Sequence, residues 1–158
     1  MTPSKEMLER IATEEKELVL DSFSEETAWR LGKLLAELAW SRKLPVAVDI
    51  RRPGQIMFHA VFPGAVADNE EWVRRKTNVL FRFGQSSLAV GVSLALAGKT
   101  IEEKSFISSF EFSPHGGAFP IRVKGVGIVA AATVSGLPQE DDHALVVEAL
   151  RQLKAEKV

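Results

Sequence analysis

Cysteine is absent from this sequence, which excludes disulfides, thiolate metal sites, iron–sulfur clusters and a cysteine nucleophile together. A metal would have to rest on carboxylates and on histidine, itself scarce at three residues, and no metal site is expected. An excess of either charge is also missing. The 20 basic and 21 acidic side chains leave a formal net charge of -1, so no overall field draws the chain to nucleic acid or to an anionic membrane. Aromatic residues make up 8% and do not interleave with a basic patch, which removes a platform for stacking bases. No apolar run reaches the length that spans a bilayer. The opening "MTPSKEMLERIATEEKE" is charged and amphipathic, without the apolar centre of a signal peptide. The expectation is a cytoplasmic protein with no nucleic-acid and no membrane partner.

What is present suits one core. A length of 158 residues is typical of a single domain, expected over 1–158 with a flexible start to about residue 13. Hydrophobic residues at 46% and charged residues at 26% supply enough apolar surface to offset the ordering entropy of the chain.

Between Ser24 and Arg42, Ala28, Leu31, Leu35 and Leu38 recur at helical spacing and predict a packed amphipathic helix. "PVAVDIRRPGQIMFHAVFPG" alternates as a hairpin around Pro53-Gly54, with Val46, Val48 and Ile50 on one face and Asp49 and Arg51 on the other. The turn type leaves the face of His59 open. Asp68 and Glu71 are spaced as a capping box for a helix running to about Phe83. "SSLAVGVSLALAGK" alternates like a strand, yet its serines suit an N-cap and Gly98 a C-terminal cap, which favours a helix over 87–98. Residues 100–114 are expected to be irregular. Phe119–Lys124 and Gly127–Ser135 read as a second hairpin whose alanine-rich strand is central and covered. A last helix begins near Gln139 and buries Val146, Val147, Leu150 and Leu153. The predicted fold class is therefore α/β in the α+β sense: an antiparallel β-sheet covered by α-helices.

Several side chains are candidates for a ligand site. His115, Gly116 and Gly117 precede a strand, and consecutive glycines let backbone amides converge on an anion. The commoner role of such a pair is a tight turn, and neither a Walker loop nor a dinucleotide fingerprint is present. Trp72, Lys76, Val79, Leu80 and Phe83 share a helix face, placing Lys76 inside an apolar stripe with Arg75 flanking it toward the sheet. A lysine stem covering apolar surface with its ammonium in water is the plainer reading. His143 lies on the inward face of the last helix, where a hydrogen-bonded core histidine is commoner than a ligand. His59 has the same two readings. Glu102, Glu103, Glu140, Asp141 and Asp142 are read as solvated helix ends, which leaves no paired carboxylates for glycosidase chemistry. "TVSGLP" lacks the first glycine of a nucleophile elbow, and the HExxH and CxxCH motifs are absent.

The segments "LPVAVDIRR", "DNEEWVRRKTNVLFRFGQSSL", "HGGAFPIRVKGVG" and "TVSGLPQEDDHALVVEAL" together resemble the UPF0303 group of the haem-degrading-domain (HbpS/GlcG-like) superfamily, from about Glu14 to Leu153. The resemblance implies a profilin-like fold and assembly into homo-oligomers. It also implies haem as a candidate cofactor, since relatives in the wider superfamily bind or degrade haem. Arg122 joins His59, Trp72, Arg75, Lys76, His115, Gly116, Gly117 and His143 as a candidate ligand-binding position because it falls in the group's characteristic segments. A homo-oligomeric protein that binds haem or another anionic small molecule is the leading expectation. An oligomeric interaction or scaffold protein without a ligand comes second, and an enzyme of unnamed reaction third.

Overall fold

A computed structural model describes residues 1–156. In chain order the elements are α1 (Lys5–Glu17), α2 (Glu25–Arg42), β1 (Ala47–Arg52), β2 (Gln55–Val61), α3 (Asp68–Phe83), α4 (Ser87–Ala97), α5 (Ile101–Ser105), β3 (Ala118–Val123), β4 (Gly127–Ser135) and α6 (Gln139–Ala155). The strands form one antiparallel sheet in the order β2-β1-β4-β3. The alanine-rich β4 is central, as its small side chains require of a strand packed on both faces.

The two faces differ in chemistry. Val46, Val48, Ile50, Phe119, Ile121 and Val134 pack with α2 and α6 into the main hydrophobic core. The opposite face carries Asp49, Ala131 and Thr133 beneath α3, where Thr77 Oγ1 meets Thr133 Oγ1 at 2.8 Å and Leu80 packs on Ala118 and Ala131. Small residues on this face let α3 lie close, and its polar groups are paired rather than dry. Among the described residues, no single helix is long and apolar enough to cross a membrane.

The helix over Ser87–Ala97 is present, capped by Ser86 Oγ on the Ala89 amide and closed by Gly98 in the left-handed region. The hairpin turn brings Gly54 to φ +79°, the conformation that the third residue of a type II turn needs. His59 pairs with Asp49 across the hairpin and lies on the same face.

Three expectations need correction. The stretch expected to be flexible to about residue 13 is helical from Lys5, with Ser4 as N-cap and Ile11 buried against Leu88, Ala89 and Val92. The capping box at Asp68 does not form. Ala67 is the N-cap, and the Asp68 carboxylate instead accepts from Trp72 Nε1 at 3.0 Å. Residues 100–114 are not wholly irregular, because Thr100 Oγ1 caps the Glu103 amide and starts the short α5.

Candidate functional site

Three pieces of chain meet at one end of the polar sheet face. β4 ends at Ser135 and turns through Gly136 and Leu137 into α6, while the first turns of α3 hang Asn69, Trp72 and Lys76 over that turn. The loop entering β3 closes the third side with His115. Together with Gln139 and Asp142 they line a cleft of about 420 Å³.

Lys76 and Asp142 form the charged part of its wall. Lys76 Nζ donates to Asp142 Oδ2 at 2.9 Å and to the Val134 carbonyl at 3.3 Å, and the Leu137 amide donates to Asp142 Oδ1 at 2.9 Å. Their residues are 3% and 1% exposed, so water does little to stabilise either charge. Burial pushes the Asp142 carboxyl up to about 6 despite its bond to Lys76. The same desolvation holds the Lys76 ammonium below the ordinary lysine range, with Asp142 opposing it. Lys76 is therefore neither snorkelling into water nor wrapped in purely apolar surface. Asp142 is not a solvated helix end either. Its position four residues before Val146 puts it on the inward stripe of α6, and that spacing is the signal that distinguishes it from its acidic neighbours. Gln139, Ser135 and Asn69 carried no comparable signal.

His115 lies edge-on to Trp72, with ring centroids 5.6 Å apart. Burial, reinforced by the charges of Lys76 and Arg75, pushes its pKa down, while a hydrogen bond with Gln139 opposes the shift. The ring is thereby held toward its neutral form. The glycines beside it do not make an anion cradle, because the Gly116 amide donates to Gln139 Oε1 at 2.9 Å. Gly117 adopts φ +145°, and a Cβ there would run into the Val134 carbonyl and Lys76 Nζ. Its role is to let the loop pass close to the lysine.

The other candidates do not line the cleft. Arg75 does not turn toward the sheet; its guanidinium stacks 4.4 Å from the Trp72 ring centroid and donates to the Ser109 carbonyl at 3.3 Å. Arg122 pairs with Glu15 at 2.6 Å and donates to the Gly84 carbonyl at 2.9 Å. His143 is buried against Phe119, and its Nε2 contacts Glu14 at 2.8 Å. His59 bridges two carboxylates, with Nδ1 2.7 Å from Asp49 and Nε2 2.9 Å from Glu70. Burial pulls the His59 pKa down, but hydrogen bonds and charges from both carboxylates outweigh it and the net shift is upward. Among the described residues, no group of three or more histidine and carboxylate side chains is placed to hold a metal ion.

The arrangement can be compared with known proteins. The family model for the haem-degrading protein HbpS-like family matches residues 23–151. The chain belongs to the HbpS-like family. Its relatives include UPF0303 proteins from Rhizobium etli, 53% identical over 94% of this chain and 90% of the relative, and from Streptomyces coelicolor, 46% identical over 98% of each. Among solved structures, the Ybr137w protein shares 35% identity with a TM-score of 0.89, covering 97% of this chain and 90% of that one. HbpS superposes with a TM-score of 0.65 at 20% identity, over 83% of this chain and 89% of its own. A structure named as a PduOC–haem complex superposes at 0.69 with 17% identity, over 82% and 94%. The last two likenesses establish the shared α+β fold of this HbpS-like chain.

Proposed function

We propose that this HbpS-like chain is a homo-oligomeric binding protein whose cleft takes a small anionic molecule. The observation that carries the reading is the convergence of Lys76, a histidine held toward neutrality and a tryptophan on one cleft, with the Arg75 guanidinium stacked on that tryptophan. A volume of about 420 Å³ sits low in the range of roughly 300–1,000 Å³ usual for ligand pockets, which suits a compact anion. The Arg75 guanidinium, stacked on Trp72 beside the cleft, supplies attraction, and His115 and Gln139 supply hydrogen bonds that fix orientation. Calorimetric titration with benzoate tests this. Saturable binding that is lost in His115→Ala and weakened in Arg75→Ala supports it; binding unchanged in both variants rules the cleft out.

Haem is the second ligand to consider. A metal binds neutral imidazole, and His115 is the histidine in the cleft whose surroundings favour that form. The solved haem complex of a protein with this fold adds support. A saturable Soret shift lost in His115→Ala, but kept in His59→Ala and His143→Ala, favours haem. Weak, unsaturable uptake that is equal in every variant favours the oligomeric interaction protein without a ligand. That reading draws on exposed aromatic surface, with Trp29 and Trp40 on α2 at 59% and 62% exposure and Phe106 and Phe110 at 90% and 84%.

A further inference from the structure

Lys76 has a property that anion binding does not use. Its ammonium is already balanced by Asp142 at 2.9 Å, so it offers an incoming anion little net charge. A salt bridge that served only the fold would gain nothing from lining a cleft, and buried ion pairs contribute little net stability compared with apolar packing. Here both members line the cleft, and the chain runs as glycine at position 117, where a side chain would collide with Nζ. The amine is packed under the loop in the wall of a ligand-sized cleft, held by the Val134 carbonyl and with a proton acceptor, Asp142, in hydrogen-bond contact.

We propose that Lys76 is an amine nucleophile that forms an imine with a small anionic aldehyde held in the cleft, with Asp142 moving the proton. This rests on the binding reading above and names the substrate class of the same cleft. The ammonium of Lys76 passes a proton to Asp142, freeing the nitrogen lone pair. That pair forms the C–N bond as the carbonyl π pair moves onto oxygen, which takes the proton back from Asp142. The carbinolamine hydroxyl then leaves as water with a proton given up by nitrogen, and C=N forms. The sum is R–CHO plus lysine ammonium giving the protonated imine plus water, with Asp142 returned to its carboxylate and no oxidant or reductant consumed. The desolvation that disfavours both charges works in the same direction, since it favours the neutral amine beside the neutral acid.

Reductive trapping tests it on the full chain. The protein is incubated at neutral pH with 4-carboxybenzaldehyde and cyanoborohydride, and labelled lysines are located and timed by peptide mass spectrometry. Lys76 is expected to label about tenfold or more faster than the exposed Lys33 and Lys124, because the cleft holds the aldehyde beside its amine and beside the Asp142 carboxylate, whereas the surface lysines meet it only by collision. Excess benzoate should protect Lys76 and leave Lys33 and Lys124 unaffected. Asp142→Asn should slow Lys76 selectively, with surface lysines as the internal control; if that variant does not fold, benzoate protection in the unaltered protein decides. Labelling of Lys76 no faster than of the surface lysines overturns the proposal. If benzoate still binds the cleft in that case, the binding reading survives and only the imine falls. If benzoate binding is absent too, both fall.

Discussion

Lys76 and Asp142 set the cleft's sensitivity to pH. Asp142 is raised from 3.8 to about 6 in the folded chain, so between those values the folded state holds a proton that the unfolded state has lost. Its titration therefore erodes stability as pH rises through that window. Lys76→Met removes the cation and enlarges the effect. The variant should lose about 3 kcal/mol above about pH 7, where a lone buried carboxylate must be charged, and much less near pH 5, where it is protonated. Urea melts at both values check it; an equal loss at both would mean that the pair is not buried. The histidines offer a second residue-scale prediction. Proton-detected titration should place the His59 pKa above 6.5 and that of His115 below it, and Glu70→Gln should lower the first alone. The stabilising contribution of His59 is present below 6.5 and lost as pH rises through its higher folded value.

The loop of residues 113–117 is the element on which the cleft depends, because it carries His115 inward and lets Lys76 pass beneath. Gly117→Val puts a β-branched side chain at φ +145° and against the Val134 carbonyl and Lys76 Nζ. The expected cost is about 2 kcal/mol or more, read as a fall in melting temperature; unchanged melting with loss of benzoate binding would make the loop a contact surface for ligand instead. The elements themselves were legible where local chemistry was unambiguous. Ser86 and Gly98 bracket α4 strongly enough to outweigh its strand-like alternation, and the 3.6-residue spacing of Ala28, Leu31, Leu35 and Leu38 marks α2. Elsewhere, tertiary partners decided. Asp68 could have capped α3, but it lies one residue inside the helix and serves Trp72. Asp142 sits in a run of acids that suits a helix N-terminus, and only its alignment with Val146 and Leu150 separates it from Glu140 and Asp141. His59 could not be assigned a face until the Pro53-Gly54 turn fixed the pairing of β1 with β2. The cleft as a whole was half visible. Trp72, Lys76 and His115 stand out by residue type, whereas Ser135, Gly136 and Gln139 enter it through a turn that no periodicity announces.

At the scale of the molecule, one face of the sheet is an apolar core under α2 and α6, and the other is a polar seam under α3 that opens into the cleft at its end. This division puts the apolar side chains that hold the sheet on one face and the charged side chains of the proposed site on the other. The outside of α2 presents Trp29 and Trp40 to solvent, more aromatic surface than a helix needs for its own packing. Sedimentation velocity at micromolar concentration should show an assembly larger than one chain, and Trp40→Glu should shift it toward monomer. A wild-type monomer at every concentration would remove oligomerisation from the account.

Ligand binding in the cleft between α3, the turn into α6 and the His115 loop is tested most directly by amide-resolved NMR of the full chain titrated with benzoate, inorganic phosphate and haem. At least one of these should move or broaden the amides of Trp72, Lys76, His115, Gly136 and Gln139 in a saturable way and leave in place the amides of Gly54 and Val126, in the hairpin turns at the opposite end of the sheet. Saturable changes centred elsewhere, or none at these five positions with all three probes, would contradict it.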